Sequence, residues 1–213
     1  HDAVVGAGGH GCPAGAVMNP VQFKAKVPGL MRQFMAEFQC TKEDAAAVFG
    51  NAGHESGGFM LMQEVKPTVA GSRGGFGWFQ WTGPRRRKFE AYCSEKNLPP
   101  TSDQANYGFL CLELRGNEKA ALPRMKAAQS LKNKVVEFEL GYERAGIKHY
   151  DSREKWANIA LDAYKDKYGN GLAPKTKPNS PMAGAVIAGT AVAGTAVAAG
   201  VSTWIAIVIG AVV

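Results

Sequence analysis

The sequence predicts a mainly α fold of the α+β class, with several amphipathic helices, a small irregular or β lobe and an apolar C-terminal helical segment. Apolar residues recur at helical spacing in several segments, which predicts the helices. The stretch from Phe59 to Gly77 is instead rich in glycine with a proline, which predicts the lobe. The residues from Met182 to Val213 carry no charge, which predicts the apolar segment.

Composition divides the 213-residue chain into four parts. We expect an irregular N-terminal segment at 1–18, because it is rich in glycine and has no hydrophobic period. A folded domain follows at 19–168, which is long enough to bury a core. Dense Gly, Asn, Pro and Lys predict a linker at 169–181, and the apolar segment occupies 182–213.

The helices can be placed from periodicity and from end signals. Val21 to Phe38 has apolar residues on one face. Thr41 has the chemistry of an N-cap and two acidic residues follow it, so a second helix should begin there and end near 53–57. Further helices are expected at 84–96, after the cap residue Ser102, and around 129–142 and 152–168.

The net charge of +7 is compatible with nucleic acid, acidic lipid or wall polymers, and does not choose among them. We expect no nucleic acid, because basic residues do not alternate with aromatic ones as in stacking surfaces. The basic run at 85–87 lies in a first helical turn, where cations are unfavourable. It hints at an anionic partner, although solvated charges, with one arginine paired to a carboxylate, explain it better.

The cysteines form no C-x-x-C pair, so a zinc or redox site is not expected. Disulfides and free thiols both remain open for the four of them, Cys12, Cys40, Cys93 and Cys111.

The string at 50–58, Gly-Asn-Ala-Gly-His-Glu-Ser-Gly-Gly, places Glu55 at a predicted helix end. A general acid that works at neutral pH needs a raised pKa. Burial and the negative end of the helix dipole both favour the protonated carboxyl. The glycines would let a substrate approach the backbone. For His54 we expect a structural or surface role, because adjacent helical residues do not face the same way.

A second string, Gly-Phe-Gly-Trp-Phe-Gln-Trp-Thr at 75–82, concentrates aromatic and amide side chains. Indole faces stack on sugar rings, and an amide can bind an N-acetyl group or orient a water molecule. Trp78, Gln80 and Trp81 are therefore candidate substrate-binding residues. We expect the two indoles to lie partly in the core and partly in a cleft.

These strings resemble the phage tail lysozyme family of the lysozyme-like superfamily, and more distantly the soluble lytic transglycosylases and goose-type lysozymes. The resemblance covers roughly residues 20–165. It implies a lysozyme-like fold with the lobe beside a cleft, and cleavage of the β-1,4 bond between N-acetylmuramic acid and N-acetylglucosamine, without cofactor or metal. The matching strings are those at 50–59, 63–67, 75–82 and 83–87.

The resemblance also implies roles for single residues. Glu55 corresponds to the catalytic acid, and Glu64 lies where phage-type lysozymes place a second one, which activates water or stabilises positive charge on the sugar. Asn106 and Tyr107 fall where such families place cleft residues. Tyr142 falls near a tyrosine that faces the acid.

The apolar segment 182–213 is longer than one membrane crossing needs, and Trp204 is a possible interfacial anchor. We expect it to insert into a membrane, with a buried helix of an assembly as the alternative. The preceding Lys175 and Lys177 would stay cytoplasmic in an ordinary tail-anchored protein, which puts the enzyme on the wrong side from its substrate. Delivery from a virion avoids this conflict.

The sequence therefore predicts a peptidoglycan-degrading glycosidase of a phage particle that opens the wall during genome entry. It would act in the host periplasm, with peptidoglycan, the membrane and other virion proteins as partners. Two alternatives stay open: a lytic transglycosylase, and a non-enzymatic membrane-penetration protein with a lysozyme-like fold.

Overall fold

The computed structural model describes residues 20–64, 67 and 71–170. This part of the chain is mainly helical, which confirms the predicted fold class. A π-helical turn, Glu139–Glu143, separates the last two α-helices. The α-helices are α1 (Val21–Phe38), α2 (Lys42–Glu55), α3 (Gly83–Lys96), α4 (Asp103–Arg115), α5 (Ala121–Ala127), α6 (Leu131–Phe138) and α7 (Tyr150–Tyr168).

Helix α2 lies at the centre of the domain, packed against α1, α6 and α7. Its residues from Asp44 to Glu55 are all buried, and most of them are small. A Cβ atom at Gly50 would lie 2.5 Å from the Cβ of Ala157 on α7, so only glycine allows the two helices to approach this closely. Small residues in α2 therefore bring α7 against the helix that ends in Glu55.

Side-chain caps begin three of the helices. Thr41 accepts a hydrogen bond from the backbone N–H of Asp44, and the Asp44 carboxylate accepts one from the N–H of Thr41, which completes a capping box. Ser102 accepts from Ala105 N–H at 3.1 Å, and Ser130 from Asn133 N–H at 3.1 Å. The caps predicted at Thr41 and Ser102 are confirmed.

Two features of the helical part were not predicted. Helix α5 has only seven residues, and its apolar residues Leu122 and Met125 are held by packing against neighbouring elements. The helix expected over 129–142 is divided into α6 and the π-helical turn. The division lies where α5 crosses closely, since a Cβ atom at Gly141 would be 3.0 Å from the Cα of Ala121.

The lobe between α2 and α3 is irregular in its described residues, as predicted. Its regular pairing there consists of isolated antiparallel bridges between Gln63 and Phe76 and between Phe76 and Trp81. The N–H and C=O groups of Phe76 and Trp81 exchange hydrogen bonds of 2.9 and 3.1 Å. This tight loop fixes the backbone around Gln80, which has a φ of +45°.

Three of the cysteines, Cys40, Cys93 and Cys111, are free thiols. No helix within the described ranges is long and apolar enough to cross a membrane. The predicted N-terminal segment and Cys12, nearly all of the predicted linker, and the apolar segment 182–213 lie outside the described residues. The four-part organisation of the chain therefore stays a prediction.

Candidate active site

Glu55 is the last residue of α2 and is only 7% exposed, so its carboxyl lies at a helix end and away from water, as predicted. One of its oxygens, Oε1, accepts a hydrogen bond from the Arg153 guanidinium on α7. The side chain of Arg153 is fully buried. The candidate acid is therefore half of a buried ion pair.

Arg153 is held from three directions. Its Nη1 donates to Asn51 Oδ1 at 2.9 Å, its Nε donates to the backbone oxygen of Lys148 at 2.8 Å, and its Nη2 donates to Glu55. These contacts fix the guanidinium plane against the end of α2. The positive charge favours the ionised form of Glu55, and so opposes the burial and helix-end effects expected from the sequence.

A second carboxyl, which the sequence analysis did not select, lies beside this pair. Glu143 is the last residue of the π-helical turn, and its Oε1 atom is buried without a hydrogen-bond partner among the residues that the structure describes. Burial raises the pKa of Glu143 to about 8, and the negative charge of Glu55 acts in the same direction. The charges of Arg153 and Arg85 oppose this shift.

A third carboxyl, that of Glu113 on α4, accepts hydrogen bonds on both of its oxygens. Its Oε1 accepts from Arg85 Nε at 2.9 Å. Its Oε2 accepts from Arg85 Nη2 at 2.8 Å, Trp81 Nε1 at 2.9 Å and the Tyr142 hydroxyl at 2.6 Å. The Arg85 guanidinium also lies over the Tyr142 ring, 4.5 Å from its centroid. Four donor groups, two of them on the Arg85 guanidinium, hold the Glu113 carboxylate in place.

Tyr142 is held by this third carboxyl. The resemblance implied a tyrosine that faces the acid, but the hydroxyl of Tyr142 donates to Glu113 and accepts from Trp81 Nε1 at 3.2 Å. The role expected for Tyr142 beside the acid stays a prediction. The next residue along the chain, Glu143, is the one whose charge interacts with Glu55.

His54, the neighbour of Glu55, turns toward the N-terminal part of α7. Its Nδ1 lies 2.9 Å from Ser152 Oγ, and burial together with the charges of Arg153 and His149 lowers the pKa of His54 to about 3. The imidazole is therefore neutral at any pH near 7. Of the structural and surface roles expected for His54, this buried contact favours the structural one.

The geometry above lies within residues 29–164, which match the family described as phage tail lysozyme. The chain belongs to the phage tail lysozyme family. No curated protein and no solved structure matches it. Membership in this family makes the chain a lysozyme-like phage protein whose substrate is peptidoglycan. Glu55, Glu113, Glu143, Arg85 and Arg153 all lie within the matched range.

In this member of the family the two indoles of the string at 75–82 are buried. Trp78 is 0% and Trp81 is 1% exposed. Trp78 packs on Phe59 with ring centroids 4.6 Å apart, and Trp81 packs on Phe89 at the same distance. The expectation that these indoles lie partly in a cleft was wrong, because sugar stacking needs an open ring face and the core covers both.

Asn106 and Tyr107 on α4 are also buried and committed to internal contacts. Asn106 accepts from the N–H of Trp78 at 2.9 Å and donates to the backbone oxygens of Pro100 and Ser102. The Tyr107 hydroxyl donates to Glu37 at 2.9 Å. Both side chains therefore join α4 to other parts of the domain: Asn106 to the string at 75–82, and Tyr107 to α1. Neither lies in an open cleft.

Gln80 and Glu64 remain candidates, and both are partly exposed. The Gln80 amide nitrogen donates to the backbone oxygens of Leu61 and Gly77 at 3.0 and 2.9 Å. The Glu64 carboxylate accepts from the N–H of Gly75 at 2.7 Å. Both side chains thus belong to the lobe, and their predicted roles in binding and catalysis stay predictions.

The basic run at the start of α3 is largely internal in this family member. Arg85 binds Glu113, as described above. Arg86 donates to the backbone oxygens of Arg73 and Gly74 at 2.6 and 2.9 Å and to Gln63 Oε1 at 3.0 Å. It also forms an ion pair with Glu90. These contacts fasten the lobe to α3, so the unfavourable charge at a helix start is offset by structural bonds.

Gly53 and Gly58, on either side of Glu55, accommodate the Trp156 ring of α7. A Cβ atom at Gly53 would lie 3.1 Å from the Trp156 ring, and one at Gly58 would lie 2.5 Å from it.

Within the described ranges, no group of three or more His, Cys, Asp or Glu side chains is arranged to hold a metal ion.

Proposed function

We propose that this chain is a muramidase that hydrolyses the β-1,4 bond between N-acetylmuramic acid and N-acetylglucosamine, with Glu55 as the acid. The observation that carries the proposal is the burial of Glu55 at the end of α2, inside a group of charged side chains within the family domain. The domain at 19–168 would supply this chemistry.

The charge balance of that group supports an acid role. Glu55, Glu113 and Glu143 face two guanidinium groups, those of Arg85 and Arg153. With every group ionised the net charge is −1, and an uncompensated buried charge is costly. One retained proton makes the group neutral. A site of this kind keeps a proton available at neutral pH, which a general acid requires.

In the proposed reaction that proton passes from Glu55 to the glycosidic oxygen as the bond to the sugar carbon breaks. Arg153 then stabilises the Glu55 carboxylate through the hydrogen bond that already joins them. Positive charge develops on the sugar, and a carboxylate near it lowers the energy of that state. Glu64 in the lobe is our candidate for this role or for activation of water, and Gln80 for an N-acetyl contact.

We place this activity in a phage particle that opens the wall as its genome enters the cell. The family name supports the virion context. The uncharged segment 182–213 would insert into the membrane once the enzyme reaches the host periplasm, and other virion proteins would carry it there.

The test is digestion of purified peptidoglycan by the full chain and by its E55Q variant. Loss of the acid should reduce the rate by about 10²–10⁴-fold. E95Q is the matched control, because it makes the same substitution at an exposed position. Among the described residues, Glu95 forms an ion pair only with Lys96. Its rate should equal that of the wild type.

Mass spectrometry of the products separates the alternatives. Hydrolysis adds water and gives a reducing sugar, whereas lytic transglycosylation gives a 1,6-anhydro sugar. Undiminished digestion by E55Q would eliminate Glu55 as the acid. No digestion by the wild-type chain would favour a non-enzymatic penetration protein.

A further inference from the structure

We propose that Glu143 is a positioning residue of this site, which shares one proton with Glu55 and so sets the highest pH at which Glu55 can act as an acid. The inference rests on the proposed role of Glu55. It assigns a second carboxyl that neither the motifs nor the family match identifies.

The first support is the unequal bonding of neighbouring carboxyls. Glu139, in the same π-helical turn, accepts hydrogen bonds from Ala145 N–H at 2.7 Å, Lys148 Nζ at 3.1 Å and the Tyr150 hydroxyl at 3.0 Å. The buried Oε1 of Glu143 accepts none from any described residue. A buried carboxylate oxygen without a donor strongly favours the neutral, protonated form.

The second support is the charge that surrounds Glu143 from four helices. Glu55 on α2 and Glu113 on α4 repel a negative charge there, while Arg153 on α7 and Arg85 on α3 attract it. Each arginine is already committed: Arg153 donates to Glu55, and Arg85 makes two bonds to Glu113. Glu143 is therefore the surplus carboxyl of the group, and its raised pKa agrees with this position.

The third support is the backbone that presents Glu143. The π-helical turn is a rare conformation that occurs frequently at functional sites. It ends at Arg144, which has a φ of +54°, and the Arg144 side chain binds Glu118 at the surface. Successive residues thus point apart: Arg144 lies outside, while Glu143 has its Oε1 buried within the charged group.

Two interacting carboxyls lose their protons in two steps that belong to the pair. Between those steps the pair holds one proton, either on Glu143 or on Glu55. The form with the proton on Glu55 reacts, and that proton goes to the glycosidic oxygen. The water that adds to the sugar carbon returns one proton to the pair. At pH values above the second step neither carboxyl holds a proton, and acid catalysis stops.

The test is the pH profile of kcat/KM on purified peptidoglycan for the wild type, E143Q and E143D. E143Q leaves Glu55 facing Arg153 without the like charge, so Glu55 should lose its proton more easily. The alkaline limb of the profile should move down by about 1–3 pH units. E143D restores a carboxyl and should recover part of the shift. E95Q, which removes an exposed carboxylate paired with Lys96, should leave the limb unchanged.

Infrared spectroscopy gives a readout that does not depend on activity. The wild-type chain should keep a protonated carboxyl band at pH 7 that E143Q lacks. The inference is overturned if the alkaline limbs of E143Q and the wild type coincide, or if the wild type shows no such band. Full activity of E55Q would instead refute the proposed function. Should E143Q not fold, E143D and the wild-type spectrum decide the question.

Discussion

Replacing Arg153 with methionine isolates the energy of the ion pair at the candidate acid. The side chains of Arg153 and Glu55 are 0% and 4% exposed, so solvent screens their interaction little. The substitution removes the guanidinium that pairs with Glu55 and takes donors from Asn51 and from the backbone oxygen of Lys148. Removing one partner of a buried pair costs about 3–5 kcal/mol. We expect R153M to lose that much of its free energy of unfolding at pH 7.

The assay is urea unfolding of the full chain, followed by tryptophan fluorescence. R144M is the matched control, because Arg144 is about half exposed in its pair with Glu118 and should contribute about 1 kcal/mol or less. In the double variant R153M/E55Q the buried negative charge that faced Arg153 is gone as well. The two substitutions should therefore be non-additive by about 1–3 kcal/mol, with the double variant more stable than the sum predicts. Additive effects, or a loss below about 1 kcal/mol in R153M, would refute the reasoning.

Two more predictions concern stability. Because the pKa of His54 is lowered to about 3, the folded state binds fewer protons than the unfolded state, so stability present above pH 6.5 is lost as the pH falls toward 3. Relative to H54Q, the wild type should lose up to about 1.4 kcal/mol per pH unit across this window in urea unfolding, and parallel curves would contradict the burial argument. G50A should destabilise by about 1–3 kcal/mol, because its Cβ would meet Ala157. G29A, where a Cβ meets nothing within 4 Å, should stabilise by about 0.5–1 kcal/mol in the same assay, and equal effects would remove the packing explanation.

The sequence correctly predicted the features that depend on interactions between residues close together in the chain, namely helix bounds and caps. Helix α1 has the predicted bounds, and α2 and α4 begin after the predicted caps Thr41 and Ser102. These signals work because a cap bonds groups within three residues of itself. Helix α5 has no side-chain cap at its start. It is short, and it depends on packing against α6 and the π-helical turn. Local patterns therefore could not find it.

The glycines next to Glu55 show how one pattern serves two purposes. Close approach of a substrate and close approach of a helix both require a missing Cβ atom. The sequence does not show whether a substrate or a helix fills the space. In the structure Trp156 and Ala157 of α7 fill it beside Gly50, Gly53 and Gly58. The deciding fact is the docking of a helix about a hundred residues later, which only the fold supplies.

The charged group around Glu55 divides in the same way. A carboxyl at a helix end is a local feature and was found, whereas its partner Arg153 lies 98 positions away and carries no motif. Tyr142 was selected from the family resemblance, which does not fix the helical register of this turn. Successive residues of an α-helix point about 100° apart, and a π-helical turn widens the helix and changes that register. The resemblance therefore selected Tyr142, while in the structure the charge of the next residue, Glu143, interacts with that of Glu55. The proton balance of the site depends on this one-residue difference.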